Sequence, residues 1–305
     1  MRATLRFNRA GVKVERSTVR GGRTPALNQS DAARVYRAMP IQSPYPDESL
    51  SCDTRPQFIV NPLIVTDPSN WIPATELTSG ACLDVLFELP YRLWAAPPHA
   101  AVTLAWKTYT YRLAQPLAAA WTMAREIPLL SADNVMFQLL PNQPYISIGL
   151  RRATSAVLPT SASRRSDGAV VLPDEERQLD FLRSTLIEEH LVPLMRNTTA
   201  TRKIGERTLW GQAAAAFAYA FADISVTAAA DANRFTALLP VPGLAGVGED
   251  DTVWRDTCCL AFASPALTAC RDCVTVSRAR RSPRRLVGQA ARILHRESRA
   301  HDHDC

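Results

Sequence analysis

The sequence predicts an α+β fold, a helix-rich body with a small antiparallel sheet and a short cysteine-bearing segment toward the C-terminus. Three observations carry this prediction. Apolar residues recur at helical spacing through 101–125 and again from Asp174 onward. Residues 134–148 alternate instead, around the turn Pro141-Asn142-Gln143-Pro144. The 305 residues are 47% hydrophobic and 21% charged, enough apolar material for one large domain or two modest ones, which excludes a chain disordered throughout.

Taken in order, residues 1–38 read as a basic, disordered N-terminal extension, 39–248 as the α+β body, 249–275 as the cysteine segment and 276–305 as a basic, disordered tail. Between 31 and 98 prolines are dense and apolar runs are short (58–60 and 63–65), so this stretch is expected to form short strands or irregular cover. Leu104, Ala105, Trp106, Tyr109 and Leu113 mark a helix that should break at Pro116 before a second run to residue 125. Residues 134–140 and 145–148 form the hairpin candidate, and 158–168, rich in serine, arginine and glycine, an exposed loop.

Asp174-Glu175-Glu176 suits the positive end of a helix dipole, and Leu179, Leu182, Leu186 and His190 follow along one face. A further helix is expected over about 206–224, its alanines allowing close packing, and another over 231–239. Gly243, Gly246 and Gly248 make 241–250 read as a flexible link.

Charge is unevenly spread. Residues 1–30 carry +6 and 274–305 carry +5 of a total of +6, so the body between them is acidic at −5. Basic ends on an acidic body read as solvated tails and argue against specific nucleic-acid recognition. Only Lys13, Lys107 and Lys203 are lysines against 32 arginines, so arginine clusters reflect coding bias and weigh little as site evidence.

The opening residues never offer the run of about seven or more apolar positions a signal peptide needs, and a cytoplasmic protein is expected. An organelle transit peptide, or a reading frame extended upstream of a start at Met39, would also account for the arginine-rich opening. The longest apolar stretch, 213–222, falls far short of the ~20 residues that span a bilayer.

The cysteines carry the chemical signal. Cys52, Cys82 and Cys305 stand alone, whereas Cys258-Cys259, ten residues, then Cys270-Arg271-Asp272-Cys273 places four thiols within sixteen residues. In a chain read as cytosolic, gathered cysteines more often hold metal than form disulfides. Structural zinc and an iron–sulfur cluster both take deprotonated sulfur. Adjacent cysteines suit zinc poorly, because each half of a zinc shell usually comes from residues two to four apart. A two-iron cluster is a larger target; zinc, a redox disulfide and chance clustering remain alternatives. His301-Asp302-His303-Asp304-Cys305 holds ligating residue types without a preorganised frame.

The Cys-Cys-x10-Cys-x2-Cys pattern resembles the FhuF-like ferric siderophore reductase family. Several segments agree in order and spacing: Ala105-Trp106-Lys107-Thr108-Tyr109 leading to Pro116-Leu117, then Asp133-Asn134-Val135, Glu189-His190-Leu191-Val192-Pro193-Leu194 and Leu209-Trp210-Gly211-Gln212-Ala213-Ala214. The resemblance covers about residues 95–275. It implies that Cys258, Cys259, Cys270 and Cys273 ligate a [2Fe–2S] cluster. The implied activity is reduction of a ferric siderophore, of hydroxamate type, to release Fe(II) in the cytoplasm. This chain has Arg255-Asp256-Thr257 and Leu260-Ala261-Phe262 where family members carry a basic residue with serine before the paired cysteines and aromatic residues after them.

Hard oxygen donors hold ferric ion tightly and ferrous ion far more weakly, so reduction is release. Four thiolates on an oxidised two-iron core sum to −2 and reach −3 on reduction, which nearby positive charge favours. Arg255 and Arg271 adjoin the ligands in sequence and are expected either to tune the potential upward or to be ordinary surface arginines of an arginine-biased chain. One cation at ~6 Å and an effective dielectric of ~20 would contribute roughly 3 kcal/mol before screening.

Gly243-x-x-Gly246-x-Gly248 lacks the dinucleotide spacing, so electrons are expected from a visiting donor: a reduced flavin, a ferredoxin or another reductase. Trp106, Lys107, Tyr109, His190, Trp210 and Gln212 are candidates for binding the ferric complex, with ordinary core and surface roles as their alternatives. Two rival functions are a zinc-stabilised binding or scaffold protein and a relative of siderophore-synthesising enzymes, the latter without the nucleotide-binding motifs it would need.

Overall fold

The computed structural model describes residues 2–8, 11–17, 63–140, 145–224, 229–249, 251–270 and 273–275. Within the segment read as a disordered extension, β1 (Arg2–Asn8) and β2 (Gly11–Ser17) form an antiparallel ladder from Arg2↔Ser17 to Asn8↔Gly11. The expected strand at 58–60, the 276–305 tail and the turn at 141–144 lie outside the described residues.

Two short strands, β3 (Leu63–Ile64) and β4 (Ile72–Pro73), are followed by helices α1 (Ala74–Thr78) and α2 (Leu83–Trp94), where the proline-rich text led to an expectation of strands or irregular cover. The helical signal was there in Leu83, Leu86, Pro90 and Leu93, one buried stripe at spacings of three and four. Burying that stripe offsets the ~3 kcal/mol penalty of an internal proline.

The same competition decides α3 (Pro98–Ala124), which runs unbroken through Pro116. Proline leaves the Arg112 carbonyl without its helical donor, yet Leu113, Ala114, Leu117, Ala118 and Trp121 around it are all fully buried, and packing prevails. Pro98 at the first turn is favourable, because its fixed φ suits a helix start.

β5 (Ile127–Pro128), β6 (Val135–Leu139), β7 (Ile146–Leu150), β8 (Ser155–Val157) and β9 (Ala169–Val171) complete two small sheets. The first has order β3-β7-β6-β4 and the second β5-β8-β9. The expected hairpin pairs β6 with β7 antiparallel, from Val135↔Leu150 to Leu139↔Ile146. β3 on β7 and β9 on β8 are parallel edge additions that the hairpin pattern did not reveal.

Asp174 caps α4 (Glu175–Leu182) by accepting the Arg177 N–H at 2.8 Å. The helix continues through a π-helical stretch, Arg183–Leu191, into α5 (Val192–Thr201). After α6 (Glu206–Ala222) and α7 (Ala229–Thr236), the expected flexible link proves structured: β10 (Ala245–Val247) pairs antiparallel with β11 (Val253–Arg255), and Leu244, Ala245 and Val247 are buried. Gly246 serves close approach rather than flexibility, since a Cβ there would overlap the Asn233 amide, which bonds both the N–H and the C=O of Val247.

The core centres on α3 against α6, where Ala105, Trp106, Tyr109 and Leu113 meet a face of small and aromatic residues including Ala213, Ala214, Phe217 and Phe221. Among the described residues, no helix is long and apolar enough to cross a membrane.

Candidate metal centre

Strand β11 delivers the chain to Arg255, and Cys258 and Cys259 follow three and four residues later. Three ties fix this corner to the body. Thr103 on α3 donates its hydroxyl to the Cys259 carbonyl at 2.9 Å, and Gln212 on α6 donates its amide to the Cys258 carbonyl at 3.2 Å. Arg207 forms an ion pair with Asp256. Beyond the paired cysteines, Ser264 donates to the Trp94 carbonyl at the end of α2. The cysteine segment is thus stitched to three helices of the body.

Leu260 takes a left-handed conformation, φ 60°, and its N–H donates to the Cys258 sulfur at 3.3 Å. The turn brings residue 270 back, so that the Cys259 and Cys270 sulfurs stand 3.0 Å apart, and the Cys273 N–H bonds the Cys270 carbonyl at 3.0 Å. Cys259, Cys270 and Cys273 are buried, whereas Cys258 is half-buried. The Cys258 thiol is pushed well above the ordinary range by its hydrogen bond to Cys259 and by burial, with further charge repulsion from Cys259 and Cys273. Thiols as close as Cys258, Cys259 and Cys270 resist collective ionisation unless positive charge joins them.

Among the described residues, one buried positive group stands at this corner. Arg255 is 8% exposed; its Nε donates to the Thr257 carbonyl at 2.9 Å and its Nη2 to Gln212 Oε1 at 2.7 Å. Burial alone would lower its pKa, but the neighbouring Cys259, Tyr219, Cys270 and Cys258 together hold it above the ordinary value. α6 reaches this close because residue 211 is glycine: a Cβ there would overlap the Thr257 side chain.

Among the described residues, no three or more His, Cys, Asp or Glu side chains already converge on a point that would hold an ion. Two thiolates on one tetrahedral ion at ~2.3 Å stand about 3.8 Å apart, so sharing an ion would part Cys259 and Cys270 by about 0.8 Å. By its chemistry the donor set, four cysteines of which three are buried, with a guanidinium as counter-charge, is of the kind that thiolate-bound metals take, a two-iron cluster or zinc among them.

Of the remaining candidates, Gln212 reaches the cysteine corner and the others sit on the helices of the body. Trp106, Tyr109 and His190 are fully buried, Trp210 and Gln212 are buried, and Lys107 is half-buried. His190 and Tyr109 meet each other at 2.8 Å inside the body, while His190 Nδ1 donates to the Leu130 carbonyl at 2.7 Å. Burial lowers the His190 pKa to about 4, so the imidazole is neutral and accepts the Tyr109 hydroxyl. Asn134, from another family-like segment, is likewise a buried staple, bonding Leu129 and Arg152.

Gln212 belongs to the cysteine corner. Sequence reasoning missed Thr103, Gly211 and Ser264. Thr103 acts across 156 positions, and no local spacing signals such a contact.

The sequence model of a family described as ferric iron reductase FhuF-like transporter matches residues 105–280. No curated protein matches the chain. Among solved structures, aerobactin synthetase IucA from a hypervirulent pathotype of Klebsiella pneumoniae aligns at 13% identity with a TM-score of 0.44, covering 52% of this chain and 31% of that one. Its ATP-bound form aligns at 17% identity and a TM-score of 0.42, covering 50% of this chain and 29% of that one. The chain thus spans about a third of the length of these structures.

Proposed function

The chain belongs to the family of FhuF-like ferric iron reductases, and from that premise we propose that it is a ferric-siderophore reductase holding a [2Fe–2S] cluster on Cys258, Cys259, Cys270 and Cys273. Residues 39–248 serve as the siderophore-side body and 249–275 as the electron-carrying segment. What supports this reading is the Cys259–Cys270 sulfur contact, with Cys258 on the same turn and Cys273 bonded back to Cys270, near a buried guanidinium.

When bound there, such a cluster supplies electrons one at a time. The substrate is Fe(III) wrapped in hard oxygen donors of hydroxamate type. One electron converts it to Fe(II), which those donors hold weakly and surrender in the cytoplasm. The chain's own residues set the conditions: packing around Cys259, Cys270 and Cys273 excludes water, Arg255 neutralises thiolate charge, and half-buried Cys258 marks the face a bulky ferric complex approaches. The exposed rings of Trp254 and Phe262, close to Cys258 in sequence, offer apolar contact on this segment. A separate donor, a ferredoxin, a reduced flavin or a reductase, restores the electron.

Anaerobic purification tests the proposal. A reddish-brown protein with iron and acid-labile sulfide in equal amounts, giving a paramagnetic signal after dithionite, is the expected result. Cys270→Ser should abolish or alter that signal and remove ferric-chelate turnover. A colourless protein containing zinc and no sulfide would overturn the reading.

A further inference from the structure

We infer that Arg255 is a positioning residue whose buried charge balances the four cysteine sulfurs, and that Gln212 is the clamp that keeps that charge in place. This rests on the cysteines being ligands, as proposed above.

The guanidinium is anchored on two of its three nitrogens, to the Thr257 carbonyl and to Gln212 Oε1. Nη1 is buried and makes no hydrogen bond among the described residues. Nor does Arg255 form an ion pair with a carboxylate there: adjacent Asp256 is engaged by Arg207. A buried cation with an idle N–H and no carboxylate is costly unless an anion completes it. The same clamp places the guanidinium at the turn that carries the paired cysteines, because it is bonded to the Thr257 carbonyl and to the Gln212 amide that also holds the Cys258 carbonyl. As bare thiols the sulfurs leave the guanidinium uncompensated; as ligating thiolates carrying a net −2 or −3 they complete it.

Gln212 couples the two halves. Its Oε1 accepts from Arg255, and its Nε2 donates to the Thr257 hydroxyl at 3.3 Å and to the Cys258 carbonyl at 3.2 Å. One amide therefore sets both the cation and the backbone of the first ligand. A neutral amide does this without cancelling the charge it holds, as a glutamate would.

Arg255→Met, Arg255→Lys and Gln212→Glu in the full chain test the inference by two readouts. In the iron-loaded protein, the one-electron reduction potential is followed by electron-spin resonance. In the anaerobic apoprotein, affinity for cobalt(II) is followed through its thiolate absorption. Arg255→Met and Gln212→Glu should each lower the reduction equilibrium constant at least tenfold, 59 mV for one electron, and weaken cobalt binding at least tenfold. Arg255→Lys should stay close to the parent in both.

A purely structural role would lower thermal stability and leave both readouts at the parent value, which would overturn the inference. Should Arg255→Met not fold, Gln212→Glu decides, since its new carboxylate pairs with the guanidinium in place. A parent protein without a [2Fe–2S] cluster sinks the functional reading alone, because the cobalt measurement still decides the role of Arg255. Absence of four-thiolate cobalt ligation in the parent would sink both.

Discussion

His190 shows what a buried polar residue costs and what it fixes. With its pKa near 4 against an ordinary 6.5, the folded chain refuses a proton that the unfolded chain accepts throughout that window. Stability from this residue is therefore present above about pH 6.5 and is lost as pH falls toward 4, by an amount of order 2–3 kcal/mol. His190→Gln should flatten this part of the profile, as read by urea unfolding at pH 7 and pH 4.5. An unchanged slope would assign the proton to another group. Tyr109→Phe should cost about 1–3 kcal/mol at pH 7, because it leaves a buried acceptor without a donor. That the four cysteines and Arg255 lie within nineteen positions was readable from the sequence; that Arg255 is buried was not. The true partners of Gln212 and Thr103 were not, because contacts across 45 and 156 residues exist only once the helices have packed.

Among the elements, α6 is the one whose placement the site depends on most. Its residue 211 is glycine where helix propensity would favour alanine by about 1 kcal/mol. The overlap with Thr257 should reverse that preference: Gly211→Ala is expected to lower stability by about 1–3 kcal/mol and to reduce iron retention, since Thr257 precedes the paired cysteines. Calorimetry and iron content measured on the same preparation check both. A stabilised, fully loaded variant would refute the close approach.

The legible elements were those whose period was clean. The β6–β7 hairpin followed from alternation, and α4 from its acidic first turn and the apolar face of Leu179, Leu182 and Leu186. Local rules failed where burial outweighed them: prolines 90 and 116 sit inside helices because the apolar faces around them are fully packed. The glycines at 241–250 read as slack because a strand of three residues, β10, is too short to show a period.

For the whole molecule, the ties from the cysteine segment to α2, α3 and α6 mean that, on the proposed reading, metal occupancy would bear on global stability. A ligand bound only by the folded state stabilises it by about 4 kcal/mol at a thousandfold excess over Kd. Stripping metal anaerobically should therefore lower Tm by roughly 8–16 °C for a body of this size, with one cooperative transition in calorimetry. A transition that keeps its midpoint after stripping would mean that the segment unfolds independently.

Half-burial of one sulfur out of four also sets how the protein meets air. Oxidants reach Cys258 ahead of its sheltered companions. If Cys258 is a ligand as proposed, the bound group is open to attack from that side first, while the packed side stays closed.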